Sequence, residues 1–168
     1  MPDGSIANKT QAGVTTLDAL IIGAGFSGLY QLLSLRDKLG MKTKVVEAGD
    51  GVGGTWYWNR YPGARCDSES HSYSYYFDKE LLEEWQWSER YPGHAEVVRY
   101  LNYAADKLDL KRDIHFNSKV LSAHYSQTEN RWIVKTEDGR EFVCTYLITA
   151  VGCLSSTNIP RCVNIPSK

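Results

Sequence analysis

Residues 17–28 read LDALIIGAGFSG, an apolar run followed by three glycines in the spacing GxGxxG. The apolar half is typical of a parallel strand that is buried on both faces, and a helical pattern follows the glycines. Gly23 permits a tight turn, Gly25 lets the backbone approach a pyrophosphate, and Gly28 lets the helix pack closely on the strand. The helix N-terminus offers free N–H groups and the positive end of its dipole to phosphates. We therefore predict a dinucleotide-binding turn.

A carboxylate in the next strand supports this interpretation, since GxGxxG alone is a weak signal. The predicted second strand, residues 43–47, ends in Glu47, nineteen residues after Gly28. Such a carboxylate accepts hydrogen bonds from the ribose hydroxyls of adenosine and would repel a 2′-phosphate. We therefore expect FAD or NAD at this site rather than NADP. The alternative is an ordinary glycine-rich turn, which this context disfavours.

A second glycine cluster follows the carboxylate and consists of Gly49, Gly51, Gly53 and Gly54. It is too rich in glycine for an ordinary helix start, and it allows the backbone to close over the pyrophosphate from the other side. The arrangement is similar to that of flavoproteins with two dinucleotide domains, and it favours FAD over NAD.

The aromatic loop, residues 53–67, reads GGTWYWNRYPGARCD. Pro62 fixes φ and Gly63 can adopt positive φ, so a sharp turn is expected there. By composition alone, aromatic residues beside a cofactor are more often packing than chemistry. Likewise, Asp67 at the end of such a loop would more often be a turn or capping residue than a catalyst.

This loop resembles that of the Baeyer–Villiger monooxygenases, flavin-dependent enzymes that insert oxygen beside a ketone carbonyl. The family pattern is a small residue, GxW, four residues, an aromatic residue, PG, three residues and D. It is matched in full at Gly53, Gly54, Trp56, Tyr61, Pro62, Gly63 and Asp67. The resemblance continues through GAGFSGLY, through WQWSERY at residues 85–91, and to Ala150-Val151-Gly152. It covers nearly everything from Asp18 to about Pro160.

The resemblance implies that NADPH reduces FAD and that O2 then oxidises a small-molecule ketone to an ester or lactone via a flavin peroxide. Trp56 and its neighbours would wall the isoalloxazine. Asp67 matches a carboxylate that lies near the flavin and orients a catalytic arginine, and it is the one catalytic residue expected here. The expected FAD-binding residues are Gly23, Gly25, Phe26, Ser27, Gly28, Glu47, Gly53, Gly54, Thr55, Trp56 and Asp67.

The predicted fold is α/β: a Rossmann-like FAD-binding domain with a parallel sheet, flanking helices and an inserted antiparallel β-meander. Helices are predicted from Phe26 to near Gly40, over 78–87 with Asp78 as N-cap, and over 94–108. Later strands are predicted over 114–125, 131–136, 141–144 and 146–150, the last of them a central parallel strand. Asp138-Gly139 is a hairpin signal. The run Tyr73, Tyr75, Tyr76 and Phe77 is expected to pack under the aromatic loop or to shape a substrate entrance.

Three segments are expected along the chain. Residues 1–16 are a mobile polar tail, 17–152 the amino-terminal part of an FAD-binding domain, and 153–168 a linker toward an NADPH domain. The family fingerprint FxGxxxHxxxW/Y-P/D is absent, so the sequence is expected to be an amino-terminal piece that is inactive alone. Two alternatives stay open. One is a truncated, non-catalytic FAD-binding module, and the other is an N- or S-oxidising class B flavin monooxygenase, which the aromatic loop disfavours.

Bulk properties exclude several classes of partner. Charge is balanced, with 19 Lys+Arg and 20 Asp+Glu, so no nucleic-acid or acidic-membrane partner is indicated. No apolar run is long enough to span a bilayer. The sparse cysteines, without a CxxC pair, favour a reducing, cytoplasmic setting. No metal site is expected from the spacing of the cysteines (Cys66, Cys144, Cys153, Cys162) or the histidines (His71, His94, His115, His124).

Overall fold

The computed structural model describes residues 13–156, and their strands form one six-stranded mixed sheet. In chain order the strands are β1 (Thr15–Ile22), β2 (Thr43–Val46), β3 (Ile114–His115), β4 (Val120–Ser126), β5 (Arg131–Thr136) and β6 (Glu141–Thr149). Their order across the sheet is β3-β2-β1-β6-β5-β4. β1, β2, β3 and β6 run parallel, whereas β5 pairs antiparallel with both β6 and β4. The predicted α/β class, with a parallel sheet and an antiparallel meander, is confirmed.

The helices flank this sheet and connect its strands. They are α1 (Phe26–Leu33), α2 (Thr55–Trp58), α3 (Lys79–Glu84) and α4 (His94–Lys107). A π-helical turn, Ser34–Lys38, extends α1, and Gly40 follows at φ +64°, so the predicted helix end near Gly40 is confirmed. Asp78 caps α3 as predicted, because its carboxylate accepts the N–H of Leu81 at 3.0 Å. No helix within residues 13–156 has the length and apolar content needed to cross a bilayer.

The larger hydrophobic core lies between the sheet and the helices. Leu29 and Leu32 of α1 and Leu101 of α4 are fully buried in one cluster with Ile21 of β1 and Val45 of β2. Each such side chain contributes roughly 1.5–3 kcal/mol when it leaves water. A smaller cluster includes residues of β1, β2, β5 and β6: Leu17, Leu20, Val46, Val134, Phe142 and Cys144. β1 therefore contributes side chains to both clusters, as its apolar run predicts.

Two predicted strand assignments are wrong in detail. The segment predicted as one strand over 114–125 is two, because the chain turns at Asn117, where φ is +52°. The N–H of Ser118 then bonds the carbonyl of Glu47 at 2.8 Å instead of a strand partner. Conversely, the strands predicted over 141–144 and 146–150 are one continuous strand, β6. It pairs with β1 along its length and with β5 through its first half, so the meander extends the parallel sheet.

The boundary predicted between the tail and the domain, after residue 16, falls inside β1. β1 begins at Thr15, so the last two residues of the predicted tail pair with Phe142 and Val143 of β6. Residues 1–12 of the tail and 157–168 of the predicted linker lie outside the described residues, as does Cys162.

Arg36 ties the end of α1 to the end of α4. Its guanidinium donates to the carbonyls of Leu108 at 3.0 Å and Asp109 at 2.8 Å, and to the carboxylate of Asp113 at 3.0 Å. Lys44 of β2 donates to the same carboxylate at 2.6 Å. Burial alone would raise the pKa of Asp113, but hydrogen bonds and charges from Lys44 and Arg36 hold it below its usual range. This ion-paired cluster fixes the turn before β3.

Candidate dinucleotide site

A cavity of about 1020 Å³ opens at the carboxyl ends of β1, β2 and β6. In open α/β sheets this edge is where ligands bind, and the volume is at the upper end of the range for ligand pockets. The lining includes residues 22–27, 46–48, 53–56, 118–120 and 149–152, together with Trp58, Asn59, Tyr73, Leu154 and Ser155.

The first glycine turn is closed by contacts that leave no room for side chains. Gly23 has φ +103°, and a Cβ there would lie 2.6 Å from the carbonyl oxygen of Ala150. A Cβ on Gly28 would lie 1.8 Å from the carbonyl oxygen of Gly23. Gly28 therefore packs the helix on the turn that follows the strand, where we predicted packing on the strand itself.

The N-terminus of α1 faces the cavity. Gly25 is its N-cap, and the Gly25 carbonyl accepts the N–H of Leu29 at 3.0 Å. The N–H groups of the first helical turn have no partner inside the helix. Two of these residues, Phe26 and Ser27, line the cavity, so the end of the helix suits an anionic group such as phosphate.

Glu47 lies buried at the carboxyl end of β2 and lines the same cavity. Its carboxylate accepts the N–H of Ala24 at 2.7 Å through Oε2 and the N–H of Gly49 at 2.8 Å through Oε1. Each oxygen keeps a further lone pair, which can accept a hydroxyl proton from a ribose. The same side chain thus links the first glycine turn to the second glycine cluster and faces the ligand space.

The second glycine cluster meets the first turn backbone to backbone. The N–H of Gly53 donates to the carbonyl of Ala24 at 3.0 Å. A Cβ on Gly54 would lie 2.9 Å from the Cα of Gly25. The predicted closure from the other side thus corresponds in the structure to Gly53 and Gly54. Gly49 and Gly51 face the ring of Tyr57. Glycine at those two positions therefore leaves space for this ring and not for a ligand.

Trp56 and Tyr73 form an aromatic wall of the cavity. The indole N–H of Trp56 donates to the hydroxyl of Tyr73 at 3.1 Å, and the rings meet edge to face. Phe26 packs against Tyr73 with ring centroids 4.8 Å apart. Burial raises the pKa of Tyr73, and the charge of nearby Asp67 adds to this, so the hydroxyl keeps its proton at neutral pH. We predicted packing for Tyr73 but did not name it as a site residue. Tyr75 of the same run is buried, whereas Tyr76 is exposed.

Asp67 is exposed and is not part of the cavity lining. Its side chain makes no hydrogen bond or ion pair within the described residues. The loop before it is fastened to the start of α4, since the N–H of Cys66 donates to the carbonyl of Pro92 at 2.9 Å. The N–H of His94 donates to the carbonyl of Ala64 at 3.0 Å. The position of Asp67 is therefore set by backbone contacts and leaves its carboxylate free.

Most predicted site residues come together, and some lining residues were missed. The cavity includes all the predicted FAD-binding residues except Gly28, which lies under the turn, and Asp67. Sequence reasoning missed Ser118, Lys119 and Val120, which lie beside Glu47 because the N–H of Ser118 bonds its carbonyl. No sequence motif in residues 118–120 predicts that they lie at the cavity, because their placement depends on the turn at Asn117.

Across residues 13–156, no three His, Cys, Asp or Glu side chains are grouped to hold a metal ion. Cys66 and Cys144 are buried free thiols, and Cys153 is an exposed one.

The fold and the cavity define a Rossmann-like domain, and a family profile of the NAD(P)-binding Rossmann-like domain matches residues 21–84. Acetone monooxygenase (methyl acetate-forming) of Gordonia sp. (strain TY-5) is 50% identical over 142 residues, 84% of this chain and 26% of that protein. A Baeyer–Villiger monooxygenase of Pseudooceanicola batsensis is 46% identical over 144 residues, 86% of this chain and 26% of that protein. The closed crystal structure of cyclohexanone monooxygenase is 44% identical with a TM-score of 0.85, covering 88% of this chain and 28% of that one.

Within that class of fold, the predicted resemblance to the Baeyer–Villiger monooxygenases is confirmed. The chain spans about a quarter of the length of the curated relatives that it matches. A further solved structure, OTEMO in complex with FAD and NADP, is 44% identical with a TM-score of 0.80. It covers 86% of this chain and 27% of that one.

One relative bears on the N-oxidising alternative. Phenazine N-monooxygenase of Lysobacter antibioticus is 44% identical over 147 residues, 88% of this chain and 27% of that protein. A match of that length in a chain of 168 residues must include residues 53–67. The alignment with this N-monooxygenase therefore spans the aromatic loop that was predicted to disfavour N-oxidation.

Proposed function

We propose that this chain is the FAD-binding part of a Baeyer–Villiger monooxygenase, which uses NADPH and O2 to oxidise a small-molecule ketone to an ester or lactone. The observation that carries the proposal is the backbone contact between the two glycine turns on either side of Glu47. Because of this contact, the N-terminus of α1, which suits a phosphate, and the Glu47 carboxylate, which suits a ribose, face the same cavity. The names of relatives 46–50% identical to this chain support the reaction class.

Each part of the cavity has a proposed role. The first turn of α1 and the backbone at Gly25, Gly53 and Gly54 hold the pyrophosphate, with Thr55 beside them. Glu47 accepts the ribose hydroxyls of the adenosine. Trp56 and Tyr73 wall the isoalloxazine, and the protonated Tyr73 hydroxyl is available as a donor. Bound FAD supplies the redox chemistry and the activation of O2, whereas the protein supplies binding and orientation.

Asp67 is proposed to act in the chemistry by orienting and charge-pairing an arginine elsewhere in the intact enzyme. Its exposed carboxylate makes no hydrogen bond or ion pair within residues 13–156 and so is available for that role, because an arginine that stabilises developing negative charge must itself be held in place. NADPH is proposed to bind outside this cavity, since the Glu47 carboxylate would oppose its 2′-phosphate. We also propose a cytoplasmic location, on the grounds of the buried free thiols of Cys66 and Cys144.

The test is to purify the intact enzyme and record its absorbance spectrum, then to follow NADPH consumption with cyclohexanone and acetone as probes. The expected result is a flavin spectrum and a lactone or ester that appears in proportion to the NADPH consumed. Bound NAD in place of flavin, or flavin without oxygenation of any ketone in a broad panel, would overturn the proposal.

A second candidate function is N-oxidation of an aromatic heterocycle, favoured by the match to phenazine N-monooxygenase. The same enzyme preparation given phenazine would yield an N-oxide on this alternative. Formation of N-oxide without any ester or lactone would replace the first proposal by the second.

A further inference from the structure

The ring of Tyr57 occupies the space left by three glycines of the second cluster. A Cβ on Gly49 would lie 2.6 Å from Cε1 of the Tyr57 ring, and one on Gly53 would lie 2.9 Å from the Tyr57 Cβ. A Cβ on Gly51 would lie 3.4 Å from the ring, an ordinary contact distance. The loop of residues 49–54, which we call the glycine loop, is thus wrapped around one side chain.

The Tyr57 side chain is itself held from several directions. Its hydroxyl donates to the carboxylate of Asp50 at 2.5 Å and accepts the N–H of Asp50 at 3.3 Å. The guanidinium of Arg60 lies over the ring, 4.5 Å from its centroid, and donates to the Tyr57 carbonyl at 2.6 Å. The ring is therefore fixed at its tip by the glycine loop and on its face by α2 and the residues that follow.

The opposite face of the glycine loop belongs to the proposed FAD site. Gly49 donates to Glu47, Gly53 donates to Ala24, and Gly54 abuts Gly25. Tyr57 is absent from the cavity lining, so it can act on a ligand only through its neighbours, which are this loop and Trp58, whose ring centroid lies 4.8 Å from that of Tyr57. A glycine-rich loop without such support would lose considerable backbone entropy on binding.

We propose that Tyr57 is a positioning residue, which holds the glycine loop in its cofactor-binding shape before the cofactor arrives. This inference rests on the proposed function, because it assumes that FAD occupies the cavity. On this inference, FAD affinity depends on two contacts outside the cavity. One is the hydrogen bonding between Asp50 and Tyr57, and the other is the packing of the Tyr57 ring on Gly49.

The test uses a matched pair of glycine substitutions in the intact enzyme. Neither Gly49 nor Gly51 has positive φ, so alanine adds no backbone strain of that kind at either position. Gly49→Ala drives a methyl group into the Tyr57 ring and is expected to weaken FAD binding about tenfold or more. Gly51→Ala makes an ordinary contact and is expected to change the dissociation constant less than about twofold.

A double variant shows whether the effect passes through the ring. Tyr57→Leu alone is expected to weaken FAD binding. Gly49→Ala added to it is expected to cost much less than in the wild type, because the 2.6 Å contact with the Tyr57 ring is gone and only the 3.2 Å contact with Trp58 is left. Tyr57→Phe keeps the ring and loses only the two hydrogen bonds with Asp50, so its FAD affinity should lie between those of wild type and Tyr57→Leu.

Hydrogen exchange distinguishes positioning of the glycine loop from a general loss of stability. In the FAD-free enzyme the Gly53 amide should exchange faster in Tyr57→Leu, with the sheet amides unchanged. Equal FAD affinity in Tyr57→Leu and wild type would overturn the inference, as would additive effects in the double variant. A wild-type enzyme that binds no FAD would instead overturn the proposed function.

Discussion

Gly25 and Gly54 stand face to face at the cavity: a Cβ on Gly54 would lie 2.9 Å from the Cα of Gly25, and one on Gly25 would lie 3.3 Å from the Cα of Gly54. The two residues are far apart in sequence and belong to different turns. Their contact leaves room for two backbones and no side chain, so it makes the two glycine clusters one binding surface.

Gly54→Ala should damage both the fold and the site. The residue has φ +54° and ψ −122°, a conformation that costs other residues about 1–3 kcal/mol, and its methyl group would press on Gly25. We expect a lower melting temperature and an FAD dissociation constant raised about tenfold or more, measured by flavin fluorescence. The control is Gly63→Ala, at φ +80° with open space around it, which should lose stability and keep FAD affinity. Equal affinities in the two variants would contradict this role of Gly54.

Glu47→Gln should weaken FAD binding while the chain still folds. Both carboxylate oxygens accept backbone N–H groups, so an amide places a donor against one of them, at a cost of about 1–3 kcal/mol. Calorimetric titration with FAD and thermal melts provide the measurements. Glu141→Gln, which alters a carboxylate paired with Lys135, is the control and should leave FAD affinity unchanged. If Glu47→Gln binds FAD with wild-type affinity, the Glu47 carboxylate does not contribute to FAD binding.

Asp67→Asn should separate chemistry from folding. Because the side chain is exposed and makes no hydrogen bond within residues 13–156, we expect FAD binding and melting temperature to stay unchanged. Ketone oxygenation should fall by about an order of magnitude or more, with more hydrogen peroxide released per NADPH consumed. Lost stability with normal turnover per bound flavin would mean that Asp67 only shapes the loop. Tight coupling in the variant would argue against a role in oxygen chemistry.

Asp113→Asn should make the protein's stability less sensitive to acid. Hydrogen bonds from Lys44 and Arg36 hold the pKa of the folded carboxyl below its usual value. Its stabilising contribution is therefore present above the unfolded pKa of about 3.9 and is lost as pH falls through the lower folded value. At neutral pH the variant should lose about 1–3 kcal/mol in urea unfolding.

The stability difference between wild type and Asp113→Asn should shrink as the pH is lowered through that window. Asp106→Asn, at an exposed pair with Lys111, is the control and should change stability by less than about 1 kcal/mol. A difference that stays constant from pH 7 to the acid range would show that the charge of Asp113 is not what stabilises the turn before β3.

The sequence predicted the parts of this fold that depend on local pattern. The apolar run of β1, the Asp78 cap and the helix predicted over 94–108 each follow from local sequence, and all are observed. The split between β3 and β4 was missed because it depends on a bond between Ser118 and Glu47, which are distant in the chain. Neither the sequence around Glu47 nor that around Ser118 contains a pattern that predicts this hydrogen bond.

The same reason explains the errors at the candidate site. All four glycines of the second cluster were interpreted as letting the backbone close over a pyrophosphate, yet the space beside Gly49 is filled by the Tyr57 ring. A missing side chain indicates close approach, and only the fold reveals which group approaches. Lys119 and Tyr73 were likewise missed as lining residues, because their neighbourhood is created by chain crossings and not by a motif.

The position of β6 has a consequence for how this protein is made. β6 is the last strand within residues 13–156 but lies in the middle of the sheet, where it pairs along β1. During synthesis β1 therefore emerges from the ribosome long before its neighbour, and its apolar edge stays open in the meantime. Because Ala150 closes the first glycine turn against Gly23, the cavity is completed only after residues 141–150 have been translated. A nascent chain that ends before residue 150 therefore lacks one wall of the cavity, and the unpaired edge of β1 is exposed to aggregation and to chaperones.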